Sequence, residues 1–235
     1  MTKESLKKTL FIDIETVTAE ESYDKLDAEW QKLWSDQFFR DGEISDKTPA
    51  ERYTLKGALR AEFSKIVCLS IGVVMFNGND EPHLFVKSLT GTEKDILAKF
   101  MTICDTAGKY DFLAAHNGKN FDFPFIIRRL IANGMPIPKL LQIQGKKPWE
   151  ITLIDTQELW RFGDLAFPSL DLLCKILGVP MKSGLDGSKV HETFYVKKDI
   201  AAIAAYCAND VAALARVYVK LNTPTLDLPN VTIQP

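Results

Sequence analysis

The 235-residue sequence predicts an α/β fold: a mixed central sheet of about five strands flanked by helices. Three observations carry this. Residues 9–17 (TLFIDIETV) and 66–76 (IVCLSIGVVMF) are long apolar, β-branched runs, and a turn-forming NGNDEP leads from the second into a third, which makes an antiparallel three-strand meander. After residue 91, helix-period segments alternate with short strand-like ones, the pattern of βα units. A long helical stretch at 199–221 closes the series.

The elements follow in order. TLFIDIETV reads as a buried strand interrupted by two acids. HLFVKSL, 83–89, returns antiparallel after the NGNDEP turn. Residues 92–104 start at Thr92 with acids in the first turn and continue as ILAKFMTIC at helical spacing. FLAAH, 112–116, is a short strand, and PFIIRRLIANG, 124–134, a helix with Pro124 in its first turn and Gly134 at its end. ITLID, 151–155, is a further strand. SLDLLCKILG, 169–178, has a Ser start and a Gly stop, and Asp199 is the expected N-cap of the last helix. The chain reads as one domain, 1–235, with an insertion at about 18–62 that is too long for a hairpin. The insertion carries 11 acids against 7 basic residues. Leu26, Trp30, Leu33 and Trp34 recur in it at helical spacing, which points to packing rather than to a base-stacking platform.

Composition excludes several classes. With 46% hydrophobic and 26% charged residues the chain is neither disordered nor collagenous. The 29 basic and 31 acidic residues give a formal charge of −2, which argues against nucleic-acid binding by charge alone. The four cysteines, Cys68, Cys104, Cys174 and Cys207, form no C-x-x-C pair, so they read as reduced buried thiols rather than as zinc or redox motifs. The N-terminus has no apolar signal core and no stretch is expected to span a membrane, so a cytoplasmic protein is expected.

Three motifs carry chemistry. In Asp13-Ile14-Glu15 the acids sit at i and i+2, on one face of an apolar strand. Burial and like charge both oppose their ionisation, a conflict that a divalent cation resolves with hard oxygen ligands. Two other D-x-E pairs, Asp27/Glu29 and Asp41/Glu43, lie in the polar insertion and read as solvated. Asn117-Gly118-Lys119-Asn120-Phe121-Asp122 follows a strand and precedes a helix, the junction where α/β sheets bind ligands. Its spacing equally suits a plain turn with Asp122 capping the helix. Tyr206 and Asp210 are i and i+4 neighbours inside a long apolar helix, unlike the Tyr23/Asp27 and Tyr195/Asp199 pairs.

In this order the motifs resemble the DEDD superfamily of 3′–5′ exonucleases, in its tyrosine (DEDDy) subgroup, which has a ribonuclease H-like fold. The wording FIDIET, HNGKNFD and YCAND is most similar to stand-alone exonucleases akin to the proofreading domain of family-B DNA polymerases. The resemblance runs over about 9–221 and leaves the detail of the insertion unexplained. It implies two divalent cations, Mg²⁺ or Mn²⁺, held by Asp13, Glu15, Asp122 and Asp210, with Tyr206 orienting the attacking water. It also implies that Thr16, Asn117 and Phe121 contact the 3′-terminal nucleotide, although Phe121 equally suits core beneath the site.

Asp155 is expected to cap a helix or support the site, and His116 to be a hydrogen-bonded structural residue. His191 lies too far ahead of Asp210 to replace Tyr206. Lys119, Lys146, Lys147, Lys182, Lys189, Lys197 and Lys198 are candidates for backbone phosphates. Single-stranded DNA is the favoured substrate; the alternatives are exoribonuclease chemistry and a non-catalytic nucleic-acid-binding domain on the same fold. Two bound cations would move the formal charge from −2 to about +2, which suits a 3′ end gripped by metal rather than extended charge-driven binding.

Overall fold

A computed structural model describes residues 1–40, 47–106, 108–180 and 185–234; the Asp41/Glu43 pair and Lys182 lie outside them. The meander is present: β1 (Thr9–Thr18), β2 (Ser64–Phe76) and β3 (Pro82–Leu89) pair antiparallel in sequence. β4 (Phe112–Ala115) adds parallel to β1, β5 (Leu153–Asp155) parallel to β4, and β6 (Asn230–Gln234) parallel to β3. The sheet is therefore mixed, in the order β5-β4-β1-β2-β3-β6. Its sixth strand corrects the expectation of about five. NVTIQ is an exposed edge strand with no buried residue, so it carries no apolar signature. Its backbone ladder to His83–Lys87 holds it, helped by the 2.9 Å contact of His83 Nε2 with Thr232 Oγ1.

The helices are α1 (Lys3–Lys7), α2 (Ala28–Arg40), α3 (Pro49–Lys56), α4 (Glu93–Cys104), α5 (Asp122–Ala132), α6 (Thr156–Arg161), α7 (Leu170–Leu177), α8 (Val190–Glu192) and α9 (Ile200–Asn222). A π turn, Thr193–Lys197, follows α8. Caps set the ends as the sequence suggests: Thr92 opens α4, Ser169 opens α7, Asp199 opens α9, and Gly178 ends α7 in the left-handed conformation. α1 and α6 were not foreseen, because five and six residues are too few to show a period.

Strand alternation divides the core. Leu10, Ile12 and Ile14 pack with Ile96 and Phe100 of α4 and with Phe123, Ile126 and Leu130 of α5. Phe11, on the opposite face, packs with Val211, Ala215 and Tyr218 of α9. Val17 and Cys68 pack on that same face with Ile203 and Cys207. Asp13 and Glu15 have the parity of Phe11, so both are directed to the α9 side. Gly72 lets α9 come close: a Cβ there would stand 2.6 Å from Val211 Cγ1.

By length and composition α9 is apolar enough to cross a membrane, which corrects the expectation that no stretch is. Here its apolar stripe covers the sheet. Between β1 and β2, Leu26, Trp34, Tyr53 and Phe63 form a separate small core, with Trp34 edge-on to Tyr53 at 5.2 Å and to Phe63 at 4.9 Å. Only part of the apolar stripe is packed. Leu26 follows a 3₁₀ turn (Tyr23–Lys25) with extended backbone before α2, while Trp30 and Leu33 remain 43% and 46% exposed.

Candidate active site

The site begins where β4 stops. The β1–β4 ladder covers only Thr9–Phe11, and β4 ends at Ala115. Beyond that point β1 runs on to Thr18, carrying the partly exposed Asp13 and Glu15 beside a notch. The chain leaving β4 is the Asn117–Asp122 motif. Asn117 takes a left-handed φ of 58°, which Asn tolerates better than most residues. Gly118 has no room for a side chain, since its Cβ would meet Ala115 Cβ at 2.3 Å and the Phe123 ring at 3.0 Å.

Asp155 holds this turn, as the sequence reading of a cap or supporting group expects. Its carboxylate is 3% exposed and accepts from the Asn117 N–H at 2.9 Å, the Lys119 N–H at 3.1 Å and the Gln157 N–H at 2.9 Å. It thus caps α6 and clamps the motif together. Asp122 is not a cap. Phe121 holds the N-cap position without a side-chain bond, and Asp122 is the first helical residue, 4% exposed. The Asp122 carboxylate accepts from the Ile14 N–H, which ties the second motif to the first.

α9 supplies the third group. Asp210 is 7% exposed, and Tyr206 is partly buried one turn earlier. The Tyr206 Oη lies 3.5 Å from where a Cβ of Gly187 would be, so a larger residue at 187 would crowd the phenol. Cys207 was foreseen only as a buried thiol. Its Sγ stands 3.3 Å from Asp13 Oδ2 and 3.4 Å from the Asp13 carbonyl oxygen. The signal was its i, i+3 relation to Asp210, which puts both on the helix face turned to β1.

Electrostatics bind these acids into one unit. Burial pushes the Asp13 carboxyl well above the usual carboxylate range, and the charges of Glu15, Asp122 and Asp210 push it further. Burial raises Asp122 to about 7; its own N–H and that of Ile14 oppose the rise, and Asp155 adds to it. Burial also pushes the Cys207 thiol up, so it remains a donor beside Asp13. Ligand atoms of Asp13, Glu15 and Cys207 lie within 4.8 Å of one another. Crowded carboxylates of raised proton affinity are what a divalent cation relieves, and oxygen donors suit Mg²⁺ or Mn²⁺. The residues present therefore fit the cations that the resemblance implies.

The remaining candidates fall in varied places. The Thr16 hydroxyl donates to the Ala58 carbonyl at 2.7 Å, so it is engaged away from the notch. Asn117 Oδ1 accepts from Asn120 Nδ2 at 2.9 Å. Phe121 packs on the core and lies 5.3 Å from the Phe125 ring. His116 is structural as expected: Nε2 donates to the Pro168 carbonyl at 3.0 Å, and Nδ1 meets Thr156 Oγ1 at 2.9 Å. His191 contacts Thr18 Oγ1 at 3.0 Å. Lys119 pairs with Glu158, and Lys189 and Lys197 lie near Glu192. Lys146 and Lys147 precede β5, at the end of that strand opposite Asp155, and Lys147 covers the exposed Trp149 ring.

Comparison with known proteins gives a family and a fold. Residues 57–232 match the model of a family described as "Predicted 3'-5' exonuclease related to the exonuclease domain of PolB". No curated protein matches the chain. Among solved structures, the family B DNA polymerase from the hyperthermophilic archaeon Pyrobaculum calidifontis is similar, with a TM-score of 0.52 and 15% identity over 90% of this chain. The match spans 24% of the polymerase, so the likeness is to one part of it and concerns the fold. That fold is the ribonuclease H-like α/β fold, with its mixed sheet flanked by helices. The chain belongs to the family of predicted 3′–5′ exonucleases related to the exonuclease domain of PolB.

Proposed function

We propose that this protein is a metal-dependent exonuclease that removes nucleotides from the 3′ end of single-stranded DNA, in the cytoplasm. The observation that carries the reading is the gathering of Glu15, Asp122 and Asp210 around the Asp13 carboxyl at the point where β4 ends. Family membership and the likeness to a DNA polymerase support a nucleic-acid substrate, and DNA first.

Asp13, Glu15 and Asp210 would hold one cation, and Asp122 with Asp13 a second. Divalent cations bound there supply Lewis acidity toward the attacking water and the leaving 3′ oxygen. The protein's own groups do the rest. Asp155 keeps the Asn117–Lys119 backbone rigid, so that Asp122 is presented without rearrangement. The Tyr206 phenol, beside Gly187, orients the water for in-line attack. Asn117 and Phe121 flank the terminal base, and Thr16 offers its backbone and methyl group, its hydroxyl being engaged by Ala58.

The test is incubation of 3′- and 5′-labelled DNA and RNA oligonucleotides with Mg²⁺ or Mn²⁺. Stepwise shortening from the 3′ end, faster on DNA and abolished by EDTA, is expected. Asp13→Ala and Asp210→Asn should each lower the rate by about 10³-fold or more with the fold intact. Internal cuts, or full activity in Asp13→Ala, would overturn the nuclease reading. RNA degraded faster than DNA would overturn the substrate preference.

A further inference from the structure

A thiol stands beside the candidate cation site. Cys207 Sγ lies within hydrogen-bond distance of an Asp13 carboxylate oxygen, and Glu15 completes a set of three donors within 4.8 Å of one another. Two donors come from one face of β1 and the third from the helix packed against that face. A polar lane runs behind them. Cys68, opposite Glu15 in the β1–β2 ladder, hydrogen-bonds Cys207 and lies 3.9 Å from Ser70 Oγ. Ser70 meets Ser88 at 2.8 Å, and Ser88 donates to the Ala204 carbonyl at 3.0 Å. The lane anchors β2 and β3 to α9 and keeps the Cys207 sulfur directed at Asp13.

Donor chemistry then sets the ion. Mg²⁺ takes hard oxygen ligands, and sulfur adds little to its binding. Zn²⁺ and Cd²⁺ bind sulfur strongly and accept two carboxylates beside it. We propose that Cys207 is a sulfur donor of the Asp13–Glu15 centre, which therefore binds a thiophilic divalent cation, Zn²⁺ or Cd²⁺, in competition with Mg²⁺. On binding, the metal–sulfur bond replaces the S–H bond and the proton passes to water. The competition with Mg²⁺ rests on the exonuclease reading; the sulfur site itself does not.

Cadmium is the probe, titrated into the full chain. A sulfur-to-cadmium charge-transfer band in the ultraviolet is expected in the native protein and in Cys68→Ser, and absent in Cys207→Ser. Cys207→Ser should weaken Cd²⁺ by about tenfold or more while leaving Mn²⁺, followed by electron paramagnetic resonance, within about threefold. Asp13→Asn should weaken both ions. Cadmium-113 resonance of the native protein reads sulfur ligation without any variant, should Cys207→Ser fail to fold. No sulfur band, a band that survives in Cys207→Ser, or full Cd²⁺ affinity in Asp13→Asn would each overturn the proposal. A protein that digests DNA with Mg²⁺ but shows no sulfur band refutes the sulfur donor alone. One that shows the band but digests nothing refutes the nuclease reading alone.

Discussion

Asp122→Asn should make the metal-free protein more stable while removing its activity. The native Asp122 is held at about 7 against an ordinary value of 3.8, mainly because it is buried. A carboxyl raised on folding binds more protons in the folded state than in the unfolded state, so stability falls as pH rises between those two values. The destabilisation is small below pH 4, about 2 kcal/mol at pH 5 and about 4 kcal/mol at pH 8, from 1.36 kcal/mol per tenfold change in proton affinity. Asn carries no charge and its oxygen still accepts the Ile14 N–H. The variant should therefore gain stability over the native protein, and the gain should grow from pH 5 to pH 8. The assay is urea unfolding in EDTA across that range, with the same series repeated in Mg²⁺. With Mg²⁺ the native protein should recover most of the difference, since the cation replaces the proton. A gain that does not vary with pH, or a variant less stable than native at pH 8 in EDTA, would refute the reasoning.

Three further outcomes follow from the same geometry. Gly118→Ala forces a methyl against Ala115 and Phe123, so it should lower stability by about 1–3 kcal/mol in thermal melts and slow turnover by displacing Asp122. Asp155→Ala removes the acceptor for four backbone N–H groups, at a cost of about 3 kcal/mol or more in urea unfolding; hydrogen exchange at Asn117 and Lys119 should accelerate more than exchange in β2. Tyr206→Phe should lower kcat by roughly 10- to 100-fold with KM little changed, a smaller loss than that of any metal-binding acid, because the phenol orders a water rather than a cation.

Local rules made most of the site legible. Strand parity placed Asp13 and Glu15 on one face, and helical spacing placed Tyr206 and Asp210 on another. What escaped was whatever depends on distant contacts. Cys207 meets Asp13 across 194 positions of chain, and the only local pointer to the meeting is its i, i+3 relation to Asp210. The placement of Asp122 against Ile14 depends on where the β4 ladder ends, which a four-residue strand does not reveal. β6 and α6 are too short or too exposed to show a hydrophobic period.

The early end of β4 has a second consequence. Past Phe11, β1 loses its β4 partner although it lies inside the sheet, and a bare strand edge is where another chain's strand would add. Here the Asp122 carboxylate occupies the Ile14 N–H, and Asp13 and Glu15 line the same stretch with polar carboxyl groups. The acids that would hold the cations thus also act as gatekeepers against edge-to-edge association. A variant stripped of all of them would lose more than turnover, because its notch would become an unguarded template for aggregation.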